Sequence, residues 1–200
     1  MDGFIRGYRR FRDSVWPERR RLFESLADRG QRPQTMVIAC SDSRVDPAMI
    51  FDAGPGELFV VRNVANLVPP CQPDGTYHGT SAAIEFGVLG LEVCDLIVLG
   101  HGLCGGIRVL LQGAPAPLGD FLTPWIEVAA PARRVLECAP ADPQLACEHA
   151  AVQLSLANLK TFPWVAERVA DGRLRLHGAH FDIRTGILAM LGTDGSFVPA

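Results

Sequence analysis

Three apolar runs without polar alternation constrain this chain most: residues 35–39 (Thr35 to Ala39), 57–61 (Glu57 to Val61) and 95–99 (Asp95 to Leu99). Val, Ile and Leu in near-continuous runs of this length suit strands buried on both faces, as in parallel sheets. The segment from Thr80 to Leu89 has the pattern of a capped helix leading into the third run, and Gly105-Gly106 opens another helix through Leu111. The order βαβ predicts an α/β fold with a mostly parallel central sheet flanked by helices. In such open sheets, ligands bind outside the carboxyl ends of the strands.

The flanking segments complete the outline. Phe4, Tyr8, Phe11, Val15, Leu22, Phe23 and Leu26 recur at helical spacing over residues 4–29, and Pro17 between them predicts two short helices. Residues 113–143, rich in Pro and Ala, read as loop plus an exposed helix near 121–137. A long helix over about 143–161 and one more turn of helix before Asp171-Gly172 follow. Leu174 to Phe181 and Ile187 to Leu191, joined across Thr185-Gly186, predict a carboxyl-terminal hairpin. No repeat or linker interrupts the chain, so residues 1–200 read as one domain with a helical arm at 1–32.

The composition, 48% hydrophobic and 20% charged, is that of an ordinary globular chain. A net charge of -3 and a pI of about 5.9 argue against a nucleic-acid surface. Residues 1–32 differ locally, with nine Arg against five acidic residues, an excess of +4, and read as a solvated or partner-facing arm. No early segment has the layout of a secretory signal, and no apolar run approaches the ~18 residues of a membrane span. A cytoplasmic protein with no membrane partner is the expectation. Six cysteines without an export signal then read as free thiols or metal ligands, and Cys71, Cys94, Cys138 and Cys147 as inert ones.

Two of the apolar runs end in chemistry. Cys40 closes the first, in Cys40-Ser41-Asp42-Ser43-Arg44. His101-Gly102-Leu103-Cys104 closes the third, 64 positions from Cys40 to Cys104. If the runs are neighbouring parallel strands, two thiols, an imidazole and a carboxylate meet at one place. Those are ligand types that Zn²⁺ accepts, and three firm protein ligands leave a fourth position for water. Asp42, two residues beyond Cys40, is placed to accept a hydrogen bond from that water, and Arg44 to hold Asp42 in a two-point fork. A structural ion pair is the plainer alternative for Asp42 and Arg44, and buried thiols for the cysteines.

The chain resembles the β-class carbonic anhydrases from about Arg29 to Leu111. The resemblance rests on Ala39-Cys40-Ser41-Asp42-Ser43-Arg44-Val45, the stretch from Pro55 to Asn66, Ala82-Ala83-Ile84-Glu85-Phe86, and the stretch from Gly100 to Gly106. It implies zinc held by Cys40, His101 and Cys104, with Asp42 and Arg44 as the catalytic pair. The implied reaction is the reversible hydration of carbon dioxide to bicarbonate. It further implies substrate contacts from Gln31, Phe59, Val64, Phe86 and Gly105, a pocket at a dimer interface, and a homodimer or homotetramer whose arms wrap a partner. Gly102 stands where many members carry Ser or Thr, and Phe86 where many carry Tyr.

The resemblance also implies a subdivision. Gln31, nine positions before Cys40, matches the members similar to plant enzymes, which keep water on the metal. In members shut down by bicarbonate, Trp, Arg and Tyr stand where this chain has Val37, Arg62 and Phe181, so only the Arg remains and the open type is expected. Rival readings are hydrolysis of carbonyl sulfide or carbon disulfide on the same zinc, and a non-catalytic zinc or bicarbonate sensor. A thiol redox protein would want Cys-x-x-Cys, which is absent. His78, on a loop after Tyr77, reads either as a proton relay near the pocket mouth or as a solvated side chain. His149, His177 and His180 receive no role.

Overall fold

The computed structural model describes residues 1–200. Its centre is a six-stranded sheet in the order β2-β1-β3-β4-β5-β6. The strands are β1 (Thr35–Cys40), β2 (Leu58–Asn63), β3 (Asp95–His101), β4 (Arg175–Phe181), β5 (Leu188–Leu191) and β6 (Phe197–Pro199). The first four are mutually parallel, while β5 and β6 return antiparallel. All three apolar runs are therefore strands, and the closing hairpin is present. The short β6 lies beyond the expected hairpin: its three residues carry too little pattern to be read locally.

The chain leaves β1 for β2 on one side, then crosses back to place β3 on the other side of β1. This reversal opens a crevice at the carboxyl ends of β1 and β3, the place where doubly wound sheets bind ligands. Cys40 ends β1 and His101 ends β3.

Eight helices surround the sheet: α1 (Asp2–Arg10), α2 (Trp16–Arg29), α3 (Pro47–Ile50), α4 (Gly79–Glu85), α5 (Gly105–Gln112), α6 (Leu122–Ile126), α7 (Pro143–Leu159) and α8 (Pro163–Ala170). On one face Met36, Ile38, Leu96 and Val98 pack against Val152 and Leu159 of α7, Val165 of α8, and Ile84 of α4. Met36 to Ala39 are fully buried, so truncating Ile38 to Ala here would cost about 2–5 kcal/mol. The other face carries a smaller cluster, Val37, Ala39, Leu99 and Ala179.

Three expectations change. The β2 run does not lie buried on both faces; β2 is an edge strand, and Val60 is 36% exposed. Pro17 does not split the arm into separate helices. A π-turn over Phe11–Val15 sits just ahead of it, and helix runs from Asp2 to Arg29. The wider turn accommodates a ring that would otherwise press on the carbonyl four residues back. The helix expected near 121–137 is mostly 3₁₀, over Glu127–Cys138, with Pro131 inside it. No helix is long and apolar enough to cross a membrane.

Candidate metal centre

The parallel register of β1 and β3 brings the two chemical motifs together. One ligand atom each from Cys40, His101 and Cys104 lies within 4.8 Å of the others, all three residues being buried, and the two sulfurs are 4.0 Å apart. After β3 the chain turns sharply, with Leu103 in the left-handed region at φ 57°, so that His101 and Cys104 face one point. Gly106 allows the turn to approach the strand ends, since a Cβ there would lie 2.7 Å from Ala65 Cβ and 3.0 Å from Val64 Cγ1.

The donor set has the chemistry of a metal site. His101 Nδ1 lies 2.9 Å from the Gly102 carbonyl, which fixes the tautomer that leaves Nε2 as a free base. Nε2 is buried and has no hydrogen-bond partner in the protein. A buried polar nitrogen with no partner is costly, and a cation between it and two thiolates supplies one. The Cys104 thiol and His101 drive the Cys40 thiol down to about 4, while Cys40 and burial push Cys104 up. Burial alone would disfavour charge on His101, yet the Cys40 sulfur reverses the net shift upward. The residues fit zinc.

Asp42 and Arg44 form the anticipated fork. Arg44 Nε donates to Asp42 Oδ1 at 2.9 Å and Nη2 to Oδ2 at 2.6 Å, while the Arg44 amide donates to Oδ1 at 3.0 Å. These donors hold the Asp42 carboxyl well below the usual carboxylate range. Arg44 Nη2 also donates to the Leu103 carbonyl at 3.3 Å, tying the loop after β1 to the turn after β3.

Arg62 has a different place from the one its residue type suggested. Its Nε donates to the Cys40 carbonyl at 2.9 Å, Nη2 to the Asp42 and Val45 carbonyls at 2.6 and 2.9 Å, and Nη1 to Asp46 at 3.3 Å. The guanidinium is spent on stapling the loop that carries Cys40 and Asp42. Val37 is fully buried in the sheet, and Phe181 ends β4 beside His101.

Sequence reasoning missed a second layer behind Cys104. Glu148 of α7 accepts from the Cys104 amide at 2.9 Å and from Gln144 Nε2 at 2.7 Å. Gln144 also donates to the Cys104 carbonyl at 3.0 Å. The other Glu148 oxygen lies 3.0 Å from His180 Nε2, with both side chains almost fully buried. The available signal was one acidic residue inside the apolar stretch Ala146–Val152, where an unpaired charge would be intolerable.

The five residues expected to touch substrate are not all gathered by one chain. Gly105 opens α5 directly after Cys104, and Val64 lies against Gly106 with its carbonyl taken by Trp125 Nε1 at 2.8 Å. Phe59 and Phe86 pair with each other at 5.7 Å between ring centroids. Phe59 is opposite Met36, whereas Cys40 is opposite Asn63, so the pair sits about 13 Å from the centre at ~3.3 Å per residue. Gln31 is exposed and precedes β1, beyond the same amino end of the sheet.

The family model for carbonic anhydrase matches residues 35–188. Beta carbonic anhydrase 3 of Arabidopsis thaliana is 37% identical over 203 residues, which span 97% of this chain and 78% of that protein. The chain belongs to the β-class carbonic anhydrases. It is accordingly an enzyme, a carbonate dehydratase. Among solved structures, the β-carbonic anhydrase CcaA superposes with a TM-score of 0.90 at 31% identity, over 100% of this chain and 99% of that one. A Coccomyxa β-carbonic anhydrase in complex with acetazolamide gives 0.80 at 27% identity, over 99% and 92%. A tetrameric β-carbonic anhydrase from Sordaria macrospora gives 0.79 at 29% identity, over 96% of each chain.

Proposed function

We propose that this protein hydrates carbon dioxide reversibly on a zinc ion held by Cys40, His101 and Cys104. The observation that carries the reading is the partnerless, buried His101 Nε2 set against two thiols at the switch point of the sheet. When bound, zinc supplies a Lewis acid that makes a water ionisable near neutral pH. The protein's own groups do the rest. Asp42, kept ionised by Arg44, accepts a hydrogen bond from the attacking water and orients its lone pair toward the carbon. Val64 and Gly105 line the approach to the centre.

In this reading the site is of the open type. Both Asp42 oxygens are engaged by Arg44, and Arg62 is engaged by its own loop, so no free fork remains to hold bicarbonate and draw Asp42 away. A second copy of the chain completes the pocket by bringing its Gln31, Phe59 and Phe86 end over the metal centre of the first. Gln31 then donates to a substrate oxygen, and the helical arm at 1–32 packs on that partner. Dimers and dimers of dimers both satisfy this arrangement. Membership of an enzyme family and the formed Asp42–Arg44 fork count against a non-catalytic sensor.

Metal content measured alongside stopped-flow carbon dioxide hydration tests the reading, with carbonyl sulfide and carbon disulfide as competing substrates. About one zinc per chain together with carbon dioxide turnover is the expected result. Purified protein that turns over carbon dioxide equally well after complete zinc removal would overturn it.

A further inference from the structure

Each hydration of carbon dioxide to bicarbonate releases one proton, and a group must take it from the site to solvent. The centre itself is poorly equipped for this. Asp42 is pinned by three donors from Arg44, and His101 and the cysteines are committed to the metal group. Imidazole is the side chain best matched to a proton relay at neutral pH, and the chain has five.

Their placements separate them. His180 is buried against Glu148. His149 is stacked on Phe197 at 4.0 Å and set edge-on to His180. His177 lies 2.7 Å from Asp95, at the amino end of β3 and so at the far end of the sheet. His149 is half-buried on a cavity that Gly102 and Leu103 also line, but its ring is packed between Phe197 and His180. His78, by contrast, has 33% of its side chain exposed and lines a different cavity, which Asn63 and Val64 also line.

That cavity holds about 610 Å³, and Asn63, Val64, Trp125, His78 and Thr80 are among its lining residues. Asn63 and Val64 connect it to the centre. Val64 packs against Gly106, the Ala65 amide donates to Cys40 Sγ at 3.4 Å, and Asn63 is the register partner of Cys40. Asn63 Nδ2 also donates to Thr80 Oγ1 at 3.2 Å, two residues from His78. The His78 ring is held at one nitrogen. Nε2 lies 2.8 Å from Asp74 Oδ1 and 2.9 Å from Thr76 Oγ1, and that Asp74 oxygen also accepts the Thr76 amide and hydroxyl.

We propose that His78 accepts the proton released by hydration and passes it to solvent, with Asp74 and Thr76 positioning its ring. The inference rests on the reading of the metal centre given above. With Nε2–H donated to Asp74, Nδ1 is the basic nitrogen. It takes a proton handed along water in the cavity, and the imidazolium then loses a proton to bulk water or buffer, which restores the neutral ring. No oxidant, reductant or second substrate is needed.

The test is steady-state carbon dioxide hydration by zinc-loaded wild type, His78→Ala, His78→Gln and Asp74→Asn, in weak buffer and again with added imidazole. For a proton relay, kcat reports proton release and kcat/KM reports the hydration step. His78→Ala and His78→Gln should lower kcat by about 10²-fold or more in weak buffer and leave kcat/KM unchanged. Imidazole should restore kcat, Asp74→Asn should fall between, and His177→Ala should match wild type. A wild-type kcat for His78→Ala in weak buffer, or an equal fall of kcat and kcat/KM that imidazole does not rescue, overturns the assignment. Failure of the wild-type holoenzyme to show any kcat/KM for carbon dioxide would sink the reading of the centre as well.

Discussion

At the carboxyl ends of β1 and β3, Arg44 and Arg62 alone make eight hydrogen bonds to the loops around Cys40 and Cys104. In the arm, by contrast, no residue from Asp2 to Arg29 is buried, and Phe4 and Tyr8 stand 81% and 58% exposed. The arm meets the body where Leu26 lies over Gly56, a position at φ +88° where a Cβ would sit only 2.8 Å from the leucine. One region satisfies its polar groups within the chain, His101 Nε2 excepted. The other carries apolar surface that the chain itself leaves uncovered. The metal ligands thus come from a single chain, whereas the arm carries apolar surface of the kind that the second copy proposed above would cover.

The sharpest way to break that comparison is at the ligands. Cys40→Ser, His101→Ala and Cys104→Ser should each lose zinc, with activity falling to background. Full zinc occupancy by metal analysis in all three would show that the centre is not where the geometry puts it. Next in size is Asp42→Ala, which should retain zinc and lose about 10²-fold in kcat/KM, as removal of a positioned proton acceptor typically does.

Arg44→Ala probes the same fork through pH. Arg44 depresses the Asp42 pKa, so wild-type Asp42 stays ionised as the pH falls through the ordinary carboxylate range, and is protonated only below it. Without Arg44 the midpoint should move up toward ~3.9, and Asp42 should lose its charge at a higher pH. Carboxyl ¹³C titration by NMR reads this directly, and an unmoved midpoint would mean the fork does not set the charge.

A smaller effect is expected one layer out. Glu148→Ala strips the acceptor from the Cys104 amide and from His180, and should weaken zinc binding about 10- to 100-fold, as loss of such supporting groups does. Competition with a chelator measures it. The least effect on the centre belongs to the arm: Phe4→Ser with Tyr8→Ser should leave zinc content unchanged while shifting the solution mass toward smaller species. If the arm variant lost zinc in step with its assembly, the division between a self-contained centre and a dependent arm would be wrong.

The parts legible in the sequence were those whose signal is local. β1, β2 and β3 show as apolar runs, and Cys40, His101 and Cys104 show because they close two of them. Burial of β2 was misjudged because strand order, not composition, makes it an edge. Arg62 is a clear example of a tertiary role with no local signature. An arginine reads as an anion donor, yet its targets are three backbone carbonyls and Asp46, brought near only when β1 and β2 pair. Glu148 and His180 are 32 residues apart on α7 and β4, so their contact depends on how that helix lies on the sheet. The Gln31, Phe59 and Phe86 group is legible as residues but not as a place, since one chain sets it about 13 Å along the sheet from Cys40 at ~3.3 Å per residue.

The π-turn over Phe11–Val15 also sets the phase of the arm. Phe4 and Leu22 are eighteen positions apart, which in an unbroken α-helix is five whole turns and would align them on one straight stripe. The wider turn takes one residue out of that count and sets the two halves back by about 100°. Phe4 and Tyr8 therefore look in a different direction from Leu22 and Leu26, and the arm presents its apolar residues as a ribbon that winds about its axis rather than as a straight stripe. Deleting one residue between Phe11 and Val15 would straighten that ribbon into a rail and bring Pro17 into conflict with the carbonyl of the preceding turn.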